Sequence, residues 1–128
     1  MPEDVSVLEL YESLQRSFNE LMLVLKAFGT PNRLKILITL LEGPKTFQEL
    51  IESVEIKRTA LSNHLSSLKE ATLIDKIHHG YYRITQKGLE FLFAIDKAYK
   101  ASQTSAAIEK ESEQRKQLLD TFLRRRED

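Results

Sequence analysis

The chain lacks cysteine and tryptophan, has only four glycines and three prolines, and contains no long hydrophobic run. Without cysteine it can form neither disulfides nor thiolate metal sites. Its glycines are scattered singly, so no glycine-rich loop can cradle a phosphate or a nucleotide. No apolar segment reaches membrane-spanning length, and residues 1–15 lack the basic-then-apolar pattern of a signal peptide. We therefore expect a cytoplasmic protein that does not associate with membranes.

The formal net charge is zero, from 19 basic and 19 acidic residues, but the charges are unevenly distributed. Residues 57–87 carry six basic and two acidic side chains, a net charge of +4, together with all three histidines. Residues 1–28 carry two basic and five acidic side chains, a net charge of −3. A basic patch confined to one segment is typical of a nucleic-acid-binding surface, although a patch of this size also occurs on ordinary surfaces.

Residues 46–71 are predicted to form two short helices joined by a tight turn. Thr46 and Glu49 have the spacing of a capping box, so the first helix begins there. A turn at 55–57 leads to a second helix from about Arg58. That helix has one buried stripe, formed by Leu61, Leu65 and Leu68.

The opposite face of this second helix carries an arginine and short polar side chains, with no acidic residue among them. Small side chains allow a helix to enter the major groove of DNA, where asparagine can pair with adenine and arginine with guanine. Taken alone, the segment fits a solvated amphipathic helix without function equally well. The predicted base-reading or phosphate-binding residues of this face are Arg58, Thr59, Ser62, Asn63 and Ser66, with Lys57, Lys69, Arg83 and Lys87 predicted on the DNA backbone.

After the second helix the pattern changes to short β-prone segments. Segments 73–78 and 81–84 flank a His-Gly pair that can make a tight turn, so we expect a two-stranded hairpin. A hairpin directly after a recognition helix is a wing, and His79, Tyr81 and Arg83 near its tip could reach phosphates or a minor groove. The alternative is a small sheet that only covers the core.

A central helix is predicted before these elements. Thr30 caps it, Pro31 occupies its first position, and Gly43 lies just beyond its end. Because the helix is apolar on most sides, we expect it in the middle of the core. Leu34, Leu37, Ile38 and Leu41 are predicted to form one apolar face, and Ile36 and Leu40 partly form another.

Long helices are predicted at both ends of the chain. Residues 6–28 read as one helix whose apolar side chains recur at spacings of three and four, a heptad seam. The seam could pack on its own domain, but its length favours contact with a second subunit. Thr85 should cap a helix to about residue 101, followed by a second helix joined to it or kinked from it. The predicted dimer-interface residues are Tyr11, Leu14, Phe18, Leu21, Leu25, Phe93, Leu118 and Phe122.

Three segments together resemble the ArsR-type winged helix-turn-helix family of bacterial and archaeal repressors. Residues 29–37 (GTPNRLKIL) resemble the family's opening D-P-x-R-L-x-I-L. Residues 62–71 (SNHLSSLKEA) resemble its recognition helix S-x-H-L-x-x-L-x-x-A-G-L, and residues 82–88 (YRITQKG) resemble the end of its wing, Y-x-L-T-x-x-G. The motifs occur in the right order over a little more than half of the chain, and MarR-type regulators share part of this pattern.

The resemblance implies a mostly α fold with a small β-hairpin wing. It also implies a homodimer whose first and last helices form the two-fold interface. Thr72 stands where the family usually has glycine, which leaves the turn after the recognition helix open. The family's metal-sensing sites have no counterpart, since there is no cysteine and no histidine after His79. We expect no metal and no cofactor, and the effector, operator and regulated genes are not indicated.

These observations divide the chain into a dimerisation helix at 1–28, a winged helix-turn-helix core at 29–87 and a helical dimerisation segment at 88–128. The leading hypothesis is a dimeric, sequence-specific DNA-binding transcriptional regulator, interpreted as a repressor, although the residues themselves do not distinguish a repressor from an activator. Its recognition helix, about 58–71, would enter the major groove, and its wing, about 74–85, would contact the backbone or minor groove. The alternatives are a protein-protein interaction module or a low-specificity architectural DNA-binding protein. No catalytic constellation is present, so we do not expect an enzyme.

Overall fold

The computed structural model describes residues 6–127, and the expectation that residues 1–5 are loose lies outside that range. The residues up to Leu89 form one compact unit and those from Glu90 onward a second. A short 3₁₀ turn, His78–Gly80, joins the second and third strands. The elements in chain order are α1 (Val7–Arg16), α2 (Phe18–Phe28), α3 (Pro31–Leu40), β1 (Lys45–Thr46), α4 (Phe47–Val54), α5 (Arg58–Glu70), β2 (Ile74–Lys76), β3 (Tyr81–Ile84) and α6 (Gln86–Glu127).

Helix α3 lies at the centre of the first unit, as predicted, and packs against α2, α4, α5 and β3. It begins as predicted, because the Thr30 hydroxyl accepts the Arg33 N–H at 3.2 Å and Pro31 follows the cap. Proline is favourable here, since the first helical N–H has no partner within the helix.

The core-facing side of α3 combines one residue of the first predicted apolar face with both residues of the second, so the first face is wrong in part. The buried side chains are Ile36, Leu37 and Leu40, whereas Ile38 and Leu41 are about half exposed. The helix is apolar on most sides, so its periodicity does not decide which side faces the core. The positions of the neighbouring helices decide it.

The helix-turn-helix forms as predicted. The Thr46 hydroxyl accepts the Glu49 N–H at 3.2 Å, and the Glu49 carboxylate accepts the Thr46 N–H at 3.3 Å, which completes the capping box. Glu55, with φ 58°, ends α4 in a left-handed conformation. Helix α5 then buries the whole predicted stripe, namely Leu61, Leu65 and Leu68.

The sheet has three strands, which corrects the predicted two-stranded hairpin. Its order is β1-β3-β2, and both pairings are antiparallel. Strand β1 contributes only two residues, with Lys45 opposite Tyr82 and Thr46 opposite Tyr81. A two-residue strand has no alternating pattern to detect, so only the folded chain reveals it. The pairing fixes the wing to the start of α4.

The predicted single N-terminal helix is two helices that meet at Ser17. Its φ of −96° and ψ of 6° depart from helical values, and its N–H donates to the Ser13 carbonyl as the cap of α1. Serine in a helix competes for backbone hydrogen bonds, which makes it a weak point. Beyond the break α2 buries Val24 and Ala27, whereas α1 buries nothing.

Helix α6 is continuous from Gln86 to Glu127, which corrects the predicted joint near residues 102–105. That stretch contains neither glycine nor proline, so nothing in it ends a helix. Serine and threonine can remain helical when the hydroxyl bonds the preceding turn, and Thr104 donates to the Lys100 carbonyl at 3.0 Å.

Thr72, which replaces the family's usual glycine, adopts the left-handed conformation that glycine favours, with φ 59°. A β-branched residue is strained in this region by about 1–2 kcal/mol. Glycine would remove this strain, but its larger conformational entropy in the unfolded state would offset roughly half of the gain. We expect Thr72→Gly to raise the free energy of unfolding by about 0.5–1 kcal/mol in urea denaturation.

The matched control for this substitution is Thr39→Gly, in helix α3, where the same change should lower stability by a few tenths of a kcal/mol. A Thr72→Gly protein less stable than wild type would mean that the hydroxyl outweighs the strain. The Thr72 hydroxyl donates to the Ala71 carbonyl at 2.6 Å and accepts from Lys87 Nζ at 3.0 Å.

Candidate nucleic-acid interface

The polar face of α5 is fully presented to solvent. Three buried leucines hold the opposite side of the helix in the core, so this face cannot rotate inward. Among the described residues, none of the four small polar side chains predicted to read bases makes a side-chain hydrogen bond. These residues, all exposed, are Thr59, Ser62, Asn63 and Ser66. Their donors and acceptors remain available to a ligand.

Arg58 lies at the first turn of α5 and contacts the start of α4. Its guanidinium lies 5.0 Å from the centroid of the Phe47 ring, and Nη1 donates to Gln48 Oε1 at 3.4 Å. A cation over an aromatic face is held in place without losing its charge. Gln48 is exposed beside this arginine and was not predicted as a site residue, because its proximity depends on the angle between α4 and α5.

The predicted wing residues are exposed, but they differ in charge balance. Arg83 Nε donates to Asp75 Oδ1 at 2.9 Å across the β2-β3 pair, which neutralises part of its charge. Lys76 lies 5.6 Å from the Tyr82 ring centroid and forms no ion pair with an acidic side chain among the described residues. Lys76 belongs to the basic segment but was not among the predicted site residues. His79 and Tyr81 are exposed, with His79 in a left-handed conformation at the tip.

The remaining predicted phosphate-binding residues lie at both ends of α5 and at the start of α6. Lys57 is the N-cap residue of α5, and Lys69 lies in its last turn. Lys87 donates to the Thr72 hydroxyl, so it is held beside the chain that follows the recognition helix. All three side chains are exposed.

Arg33, a residue of α3, links α5 to α2. Its Nε donates to His64 Nδ1 at 3.0 Å, and its Nη1 donates to the Lys26 carbonyl at the end of α2 at 2.8 Å. One side chain of α3 therefore joins α2 and α5, and it fixes the position from which α5 presents its polar face. The partly buried His64 ring thus accepts its hydrogen bond from a side chain of another helix.

The pKa of His64 lies below its ordinary value of 6.5, first because the ring is partly buried and then because the Arg33 guanidinium repels its charged form. The unfolded chain therefore binds more protons than the folded one between the folded and unfolded pKa values. The stability that neutral His64 contributes is full above the unfolded pKa and decreases as pH falls through that interval.

We expect His64→Gln to reduce the pH dependence of the melting temperature between about pH 7.5 and 5.5, because glutamine cannot be protonated there. Thermal denaturation of both proteins across this range measures the difference. His78→Gln is the control, since His78 is exposed on the wing. If the melting temperatures of His64→Gln and wild type changed equally with pH, this expectation would be contradicted.

The predicted dimer-interface side chains are largely exposed. Tyr11, Leu14 and Phe18 line a shallow groove with Gln15 at the junction of α1 and α2. Leu21 is half-buried. The other four are exposed to between 52 and 74%, namely Leu25, Phe93, Leu118 and Phe122.

Two further features concern the described residues 6–127 only. No helix there is both long enough and apolar enough to cross a lipid bilayer. No group of three or more histidine, aspartate or glutamate side chains converges there in a metal-binding arrangement. The neighbouring His78 and His79 rings are 6.4 Å apart between centroids.

Both a protein family and individual known proteins are similar to this chain in sequence. Residues 30–76 match the family described as bacterial regulatory protein, arsR family. The chain is 31% identical over 78 residues to the biofilm growth-associated repressor of Xylella fastidiosa, covering 59% of this chain and 68% of the relative.

Several solved protein structures have a fold similar to that of this chain. The fold is similar to the transcriptional repressor BigR from Xylella fastidiosa, with 27% identity and a TM-score of 0.58 over 70% of this chain and 95% of that one. It is also similar to a homodimeric winged helix-turn-helix DNA-binding domain from Mycobacterium bovis, with 25% identity and a TM-score of 0.58 over 69% of this chain and 84% of that one. The predicted fold class is confirmed.

Proposed function

Because the chain belongs to the arsR family of bacterial regulatory proteins, we propose that it is a homodimeric, sequence-specific DNA-binding repressor. The family consists of transcriptional regulators, so the expectation that the chain is not an enzyme is confirmed. DNA binding and repression are known for similar proteins, whose names describe a repressor and a DNA-binding domain. A protein that acts on chromosomal DNA works in the cytoplasm, where we place it.

The observation that carries the proposal is the polar face of α5. It combines small side chains, an asparagine and an arginine, all exposed, on a helix whose other side is anchored in the core. A helix that enters the major groove needs this combination of close approach and available hydrogen-bonding groups. Thr59, Ser62 and Asn63 would contact base edges, and Arg58 a guanine or a phosphate.

The cationic side chains around this face would bind phosphates. Lys57 and Lys69 lie at the two ends of α5, and Lys76 extends the set to the wing. Such contacts fix the register of the protein on the duplex without reading sequence. Arg83 would contribute less than the lysines, since Asp75 already balances its charge.

The proposed dimer is formed by the helical segments at 1–28 and 88–128, with 29–87 as the DNA-binding core. The exposed seam from Tyr11 to Leu25 supports this, since monomeric proteins rarely leave such a surface uncovered. The similar domain from Mycobacterium bovis is described as homodimeric. A two-fold dimer would place two copies of α5 about one DNA turn apart, roughly 34 Å.

The experiment that tests the proposal is selection of bound duplexes from a random-sequence pool, performed at two salt concentrations. We expect enrichment of an inverted repeat with half-sites about ten base pairs apart. Binding that only weakens with salt, without enrichment, would indicate an architectural protein. Absence of binding at low salt would indicate a protein partner instead of DNA.

Lys69→Ala is expected to weaken binding to cognate and random duplex alike. Loss of one phosphate contact should reduce the slope of log affinity against log salt by about one unit for each Lys69 in the complex. Fluorescence anisotropy titrations at four salt concentrations measure this slope. Lys110→Ala, on the exposed C-terminal helix, is the control, and equal slopes for the two variants would remove Lys69 from the binding surface.

A further inference from the structure

The last turns of α6 carry an apolar surface that no other element of their own unit covers. Four large side chains there are between 47 and 74% exposed. At 3.6 residues per turn they fall within an arc of about 140°. From Glu90 to Glu127 the described chain consists of this helix alone. The four residues are Leu118, Leu119, Phe122 and Leu123.

The apolar surface continues towards the N-terminus as a heptad seam. Positions spaced alternately by three and four residues lie on one side of the helix over more than two heptads. Five of these six positions hold a small or apolar side chain. We call these six residues the C-terminal seam: Ser105, Ile108, Ser112, Arg115, Leu119 and Phe122.

Arg115 is the single charged member of the C-terminal seam. Its guanidinium donates to the Glu111 carboxylate one turn earlier at 2.9 Å, and the side chain is 78% exposed. Arginine can extend its charged end to the edge of an interface while its methylene groups remain inside. The seam is therefore weakest at Arg115 and strongest at the leucines and phenylalanine that follow.

The charges beside the seam indicate what covers it. In heptad notation Leu119 is at a and Phe122 at d, which places Glu111 at g and Lys116 at e. Lys116 follows Glu111 by five residues, the spacing at which a g side chain meets an e side chain of a parallel partner helix. Opposite charges at these positions select the partner and its direction.

We infer that residues 105–127 form a parallel, in-register coiled coil with the same segment of a second copy. Glu111 faces Lys116 of the partner subunit, twice by symmetry. Leu119 and Phe122 fill the core, flanked by Leu118 at g and Leu123 at e. This inference rests on the proposed homodimer and adds an interface outside the residues matched to the family, 30–76.

The parallel direction also follows from side-chain size. In register, the large residues of both helices lie opposite one another and form a single apolar cluster. An antiparallel pair centred on the seam would place Leu119 opposite Ile108 but Phe122 opposite Ser105, so the large side chains would form no single cluster. An antiparallel pair centred on the tip would overlap over only a few turns and would leave Ile108 exposed.

Disulfide cross-linking of the full-length protein tests the register directly, because the natural chain contains no cysteine. Ser105→Cys and Ser112→Cys, made separately, each bring a cysteine opposite its own counterpart at an a position. Gln103→Cys and Gln117→Cys, both at f on the far side of the helix, are the matched controls. After mild oxidation, non-reducing gels measure the covalent dimer.

We expect both seam variants to form covalent dimers at least about tenfold faster than the controls, because effective concentration within a dimer exceeds that of chance encounters. Cross-linking at only one of the two seam positions would indicate an antiparallel pair. Equal cross-linking of seam and control variants, or none at either seam position, would mean that the segment does not form a parallel, in-register pair. Each of these results would overturn the inference.

Charge reversal is the second test. Glu111→Lys and Lys116→Glu should each weaken the dimer several-fold in sedimentation equilibrium at low salt, and the double variant should restore most of the loss. Circular dichroism of each variant controls for helix content. A double variant that dimerises no better than the weaker single variant would overturn the predicted pairing.

Duplex selection with the Ser112→Cys protein separates this inference from the proposed function. An enriched inverted repeat without seam cross-linking would leave the DNA-binding dimer intact and overturn only the coiled coil. Seam cross-linking without any enrichment would support the coiled coil and contradict the sequence-specific repressor.

Discussion

Gly88→Ala is expected to lower the free energy of unfolding by about 2–3 kcal/mol, as an overpacked core substitution does. A Cβ at this buried position would lie 2.5 Å from the Leu73 carbonyl oxygen and 2.7 Å from Ile84 Cγ1. The carbonyl cannot move away freely, because it accepts the Thr85 N–H at 3.0 Å. The gain in helix propensity, about 1 kcal/mol, does not offset the clash.

Urea denaturation of wild type and variant measures this change, and Gly29→Ala is its matched control. Gly29 has a right-handed helical φ of −69°, and the nearest atom to its Cβ would be the Lys26 carbonyl oxygen at 3.2 Å. The control should change stability by less than about 1 kcal/mol. If the two variants were equally stable, close packing of α6 against the chain after α5 would not explain the glycine.

Gly88 also gives a physical reason for the motif that ends the wing. The Thr85 hydroxyl donates to the Thr72 carbonyl at 2.7 Å and accepts the Gly88 N–H at 3.1 Å. Threonine therefore caps α6 and binds the turn after α5, and glycine three residues later allows the backbones to approach. Threonine and glycine at this spacing join the recognition helix, wing and last helix at one point.

Asn63→Ala is expected to reduce affinity for the selected duplex by about 1–3 kcal/mol, roughly ten- to a hundredfold, while random duplex is bound nearly as before. The amide is exposed and makes no side-chain hydrogen bond among the described residues, so its removal leaves no partner unsatisfied. The effect should therefore appear in sequence preference and not in stability. Competition titrations with cognate and random duplexes measure the ratio of the two affinities.

Asn19→Ala, the same substitution on the exposed side of α2, is the control and should leave the ratio unchanged. Selection repeated with the Asn63→Ala protein should lose preference at one base position in each half-site. If wild type and Asn63→Ala both bound cognate and random duplex with equal affinity, Asn63 would have no role in base recognition.

Much of the candidate site was predictable because its signals are local. The capping box at Thr46, the leucine stripe of α5 and the cap at Thr30 each involve residues within a few turns of one another, and all are confirmed. The predicted DNA-binding side chains are exposed, but which of them contact DNA stays a prediction. The hydrogen bond between Arg33 and His64 spans 31 positions of sequence, so no local pattern could reveal it.

The errors have a common origin. Strand β1 is too short to have a period, and it forms because β3 provides a partner. The exposed side of α3 and the break at Ser17 depend on where neighbouring helices pack. The continuity of α6 shows the converse, since a loss of apolar residues near 102–105 does not end a helix without glycine or proline.

The sequence by itself determined the helix-turn-helix, the wing, the family and the buried and polar faces of α5. Caps, turns and hydrophobic periodicity act between near neighbours, so they can be recognised before folding is considered. The tertiary structure decided which face of α3 is buried, how Arg33 positions α5 through His64, and which cations of the wing keep their charge unbalanced. These properties depend on contacts between residues distant in sequence, because packing and electrostatics act through space.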